Sequence, residues 1–118
     1  MTTFRNILVS VVAAITLGLA APVIAADGVT EAQVAAAKTA SDHLAIAAAY
    51  ESEAAAADAR AQAHEGMERT YRLGGAPKGN RSSMANHCKR LASHYRAAAR
   101  DYRALAAEHR TLGSTASP

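Results

Sequence analysis

Alanine most narrows the folds open to this chain: it supplies 32 of the 118 residues, against one Phe, four Tyr and no Trp. It has the highest helix propensity of any residue but brings little apolar area to bury. A chain of this kind cannot fill a large interdigitated core, which excludes a β-sandwich or an α/β enzyme with its own cofactor domain. Disorder is excluded too, because strong helix formers are combined with regularly spaced charges over long stretches.

Residues 1–25 have the pattern of a secretory signal peptide. Arg5 supplies the basic start and residues 7–21 form an uncharged, mostly apolar run. Val23-Ile24-Ala25 then offers short side chains for cleavage before Ala26. The run is shorter than the roughly 20 residues of a membrane span, so an uncleaved N-terminal anchor is the lesser reading. No Cys follows it to carry a lipid. The expectation is export to the periplasm, with release from the cell as the alternative, and one domain over residues 26–118.

Within that domain the signals are helical. Thr30 with Gln33 fits a capping box that opens a first helix over about 30–72, and Ser41-Asp42 is a second cap that could split it. Residues 73–81 hold three Gly and a Pro, a dense turn signal. Ser82 or Ser83 is the expected cap of a second helix over about 82–112. Gly113 is its expected stop, followed by a loose tail over 113–118.

Both helices carry a stripe with alternating steps of four and three. On the first it runs His43, Ala47, Tyr50, Ala54, Ala57, Ala61, His64, Glu68, Tyr71. On the second it runs Met84, Cys88, Leu91, Tyr95, Ala98, Tyr102, Leu105, His109, Leu112. Small residues on one helix then face tyrosines on the other. Charges recur every seven residues as well, and folding about the Gly/Pro turn pairs Glu65 with Lys89, Asp58 with Arg96 and Glu51 with Arg103. The expected fold is all-α: a long, coiled-coil-like antiparallel helical hairpin. In this register residues 30–41 overhang the second helix, and Ala85, Ala92, Ala99 and Ala106 form an extra apolar edge. A hairpin so lean buries too little by itself, so self-association is expected, most simply as a four-helix bundle of two copies. A protein partner could serve instead.

Soft side chains gather near the turn. His64 and Met67 lie before it, and Met84, His87 and Cys88 after it, with Glu68 one turn beyond His64. Thiolate, thioether and imidazole together suit copper in its Cu(I) state, whereas Zn(II) would favour Cys and His without Met. These five residues are the candidate metal site. The plain alternative is seam packing, since Met fills irregular gaps and Cys behaves as a small hydrophobe. A weaker pair, His43 and His109, sits at the far end. Cys88, the one cysteine, has no internal disulfide partner and is free, metal-bound or linked to another chain.

Net charge is +3, but the basic second helix is answered by the acidic first, and aromatic residues do not interleave with the bases. Nucleic-acid binding is therefore not expected. Neither is catalysis: Cys88 with His64 or His87 lacks an orienting third group and an oxyanion-donor array. Arg69, Arg72, Lys78 and Arg81 make a basic end around the turn, a minor candidate for contact with anionic envelope surfaces.

Overall fold

The computed structural model describes residues 28–116, so the signal-peptide segment lies outside the described residues. Three helices follow in order: α1 (Glu31–Ala36), α2 (Ala40–Leu73) and α3 (Arg81–Thr115), with no strand among the described residues. The protein is all-helical, and α2 and α3 pack against each other along their lengths in a hairpin-like pair.

The first helical region is broken, two residues earlier than Ser41. Thr39 caps α2: its side chain accepts from the Asp42 N–H at 3.2 Å, and the Asp42 carboxylate accepts from Thr39 N–H at 2.9 Å and Lys38 N–H at 3.0 Å. These backbone donors hold the Asp42 carboxyl below its ordinary pKa, and its charge also suits the positive end of α2. Thr30 and Gln33 form the expected box at the start of α1. Residues 30–41 do not overhang along the axis. A Cβ built on Gly28 would lie 2.7 Å from the Glu53 carboxylate, so the chain before α2 doubles back beside it.

At the turn, Gly74 ends α2 with φ 122°, and its N–H reaches the Thr70 and Tyr71 carbonyls. Asn80 N–H then bonds to the Pro77 carbonyl at 2.9 Å. That turn winds directly into α3, so Asn80 rather than Ser82 or Ser83 is the N-cap, and its side chain makes no capping bond. Gly74→Ala forces a side chain into the left-handed region. It is expected to cost about 1–2 kcal/mol, measured by urea unfolding; an unchanged midpoint would show that the turn relaxes freely.

Gly113 does not stop α3. The helix passes through it to Thr115, because Gly113 serves close packing: a Cβ there would lie 3.3 Å from the Ala40 carbonyl oxygen and from Leu44 Cγ.

The seam has two rows. Ala47, Ala54 and Ala61 on α2 and Ala85, Ala92, Ala99, Ala106 and Gly113 on α3 are buried and spaced by sevens. The second row holds His43, Tyr50, Ala57 and His64 on α2 with Cys88, Tyr95, Tyr102 and His109 on α3, joined by ring contacts. The α2 stripe lies where expected. On α3 the supposed extra edge is the core, and Leu91, Leu105 and Leu112 stand outside it, 41%, 37% and 47% exposed. Steric size explains the rotation. Facing a row of alanines, α3 approaches closest by presenting alanine, and close approach brings two long backbones into dispersion contact.

Ion pairs flank the small row. Asp58 meets Arg96 at 3.0 Å as expected, but Arg96 also holds Glu65 at 3.1 Å, Asp58 also holds Arg103, and Glu51 takes Arg110 at 2.9 Å. Glu65 does not take Lys89, nor Glu51 Arg103; each acid reaches one heptad farther from the turn. Helical side chains lean toward their own N-terminus. In an antiparallel pair the α2 tips therefore shift away from the turn and the α3 tips toward it, so acids meet arginines rooted farther out. Exposed pairs of this kind are screened by solvent and individually weak, so they select a register rather than hold the fold.

Candidate functional site

Four of the five soft residues are carried to one side of the helix pair at its turn end. His64 and Cys88 occupy the ring row, and the Ala40–Gly113 contact sets them at the same height. Met67, three residues after His64, and Met84, four before Cys88, lie on the adjoining edge; residues at these spacings share a helix face. Cys88 is buried and free, Met84 is half-buried and Met67 is exposed. The His64 ring stacks on Tyr95 with centroids 5.6 Å apart. Its Nδ1 is buried and has no hydrogen-bond partner among the described residues, a costly state for an imidazole nitrogen. His87 is turned elsewhere: it is exposed, and Arg90 meets its Nδ1 at 2.7 Å. Glu68 is engaged by Arg72 at 3.0 Å. Among the described residues no three His, Cys, Asp or Glu side chains come together as a metal-holding group.

The far end has a tighter arrangement than its sequence spacing suggested. His43 and His109 meet Nδ1 to Nδ1 at 3.1 Å, and His109 lies 5.7 Å from the Tyr50 ring, which stacks on Tyr102 at 6.1 Å. One Nδ1 must donate and the other accept, so the pair tolerates one added proton but not two. Burial, and then the neighbouring His43 charge, lower the His109 pKa from its ordinary 6.5, against a smaller opposing pull from Glu108. Because the folded value lies below the unfolded one, this contribution to stability is complete above pH 6.5 and is lost as pH falls toward the folded value. The melting temperature is therefore expected to fall as pH drops below about 6.5, and His109→Gln to flatten that slope. Circular-dichroism melts across this range check it; an equal slope in the variant would place the effect elsewhere.

Of the basic end, Arg72 is paired with Glu68, and Arg81 Nε donates to the Ala76 carbonyl at 2.9 Å, while Arg69 and Lys78 are exposed. Two of the four charges are thus already used in local structure.

The feature that sequence periodicity misassigned is the row Met84, Leu91, Ala98, Leu105, Leu112. It borders the ring row on the side away from the ion pairs and forms an open apolar edge along α3. No described helix is long and apolar enough to cross a membrane. Compared with family models, curated proteins and solved structures, the chain matches none.

Proposed function

We propose that this chain is a small exported, non-enzymatic helical protein that acts in the cell envelope by associating with further copies of itself through the apolar edge of α3, giving a four-helix assembly. The supporting observation is the exposure of Leu91, Leu105 and Leu112 on one row, on the flank opposite the one that the ion pairs close. A continuous apolar strip of this kind marks an association surface more often than scattered leucines do. Sedimentation of the purified protein over micromolar to millimolar concentrations tests it. A concentration-dependent assembly is expected, and a monomer throughout would defeat the proposal.

A second proposal, binding of Cu(I) at the turn end, is favoured by one observation: the unpartnered, buried His64 Nδ1 in the row that holds the Cys88 thiol. Met67 and Met84 would complete a soft donor set, with His87 outside it unless its ring turns inward. Titration of the reduced protein with Cu(I) against a competing chelator decides it. Stoichiometric binding lost in both His64→Ala and Cys88→Ala supports the site, and indifference to both removes it.

A further inference from the structure

The exposed row on α3 reads the same in both directions. From Met84 to Leu112 the order is large, large, small, large, large, with Ala98 at the centre and every step seven residues. Such a row is self-complementary under a two-fold axis. Two α3 helices laid antiparallel across each other at Ala98 place Met84 against the partner's Leu112 and Leu91 against the partner's Leu105, while Ala98 meets its own copy.

The next row outward supplies a second, independent observation. It carries His87, His94, Asp101 and Glu108, two imidazoles followed by two carboxylates. The same axis sets His94 opposite the partner's Asp101 and His87 opposite the partner's Glu108, so that N–H donors face acceptors at every position. Within one molecule His94 and Asp101 are both exposed.

We infer that the partner of this edge is a second copy of the chain, bound through α3 in an antiparallel two-fold dimer centred on Ala98. This rests on the self-association proposed above and adds its geometry. Among the described residues, Leu105 and Leu112, at the end where the chain doubles back before α2, remain 37% and 47% exposed. The row spans about 42 Å along α3, nearly the whole length of the helix, so an antiparallel copy can stay in contact from Met84 to Leu112. The central alanine lets the two helices cross closely, and the leucines on either side of it close the contact.

Cysteine crosslinking and charge exchange test the geometry. In a Cys88→Ala background, Ala98→Cys is expected to give a covalent dimer on mild oxidation, whereas Ala104→Cys, on the outward face, is not. His94→Glu, which sets a carboxylate opposite the partner's Asp101, is expected to weaken dimerisation at least tenfold, and adding Asp101→Lys to restore it to within about threefold. If the protein assembles but Ala98→Cys crosslinks no faster than Ala104→Cys, or the double variant stays as weak as the single, the two-fold geometry is overturned while self-association stands. A monomer at every concentration overturns both.

Discussion

Ala99→Leu is expected to destabilise the helix pair by about 3 kcal/mol, a fall in Tm on the order of 15 °C. Ala99 is 0% exposed, and the seven-residue spacing measured from the Ala40–Gly113 contact brings it to the level of Ala54, also 0% exposed. An alanine methyl has no side-chain torsion with which to give way to a larger neighbour. Leucine there has to push the helices apart along the whole small row, because both are long and stiff. Ala55→Leu adds the same side chain to an exposed position of α2 and is expected to change stability by no more than about 0.5 kcal/mol. Ala99→Gly separates size from propensity: it creates no clash and is expected to cost only about 1 kcal/mol through lost helix propensity. Thermal and urea unfolding followed by circular dichroism give all three values. Similar losses for Ala99→Leu and Ala55→Leu would mean that the seam is looser than the burial of its alanines implies.

Leu91→Gln combined with Leu105→Gln is expected to weaken self-association about a thousandfold while leaving the helix content of the monomer unchanged. Both side chains are substantially exposed in the single chain, so their loss removes little intramolecular packing. In a two-fold assembly each substitution acts from both copies, and four lost leucines at about 1 kcal/mol each amount to roughly 4 kcal/mol, three powers of ten in Kd. Sedimentation measures the shift, and circular dichroism at a dilution where the wild type is monomeric verifies the fold. Unchanged sedimentation would show that the edge is not where the copies meet.

Much of the fold was legible in the chain, and its errors share one cause. The α2 stripe, the Thr30–Gln33 box, the turn and the Asp58–Arg96 pair lie where spacing puts them. Thr39 with Asp42 also has the spacing of a capping box, so the break in the first helical region was open to the same rule that located Thr30. The α3 seam differs from the expectation because Met84, Leu91, Leu105 and Leu112 are larger than Ala85, Ala92, Ala99 and Ala106, and side-chain size does not decide which row is buried. Both sets recur every seven residues, and periodicity alone does not separate two rows with one period. Gly113 was misassigned for a similar reason, since a glycine near a helix end signals either termination or close approach. At the candidate metal site, spacing brought His64 and Cys88 to one row, but it carried no information about the orientation of the His87 ring or about the unpartnered His64 Nδ1.

The sequence by itself determined that the chain is helical, where it turns, and that the two long helices run antiparallel with acids facing bases. Those properties follow from local propensity and from charge spacing, which act within a few residues or across one contact. Only the tertiary structure decided which of two apolar rows on α3 is buried, and hence which remains for another molecule. That choice depends on how closely two whole helices can approach. Alanine facing alanine allows the closest approach, so the larger side chains are left on the outside, where they form the edge available for association.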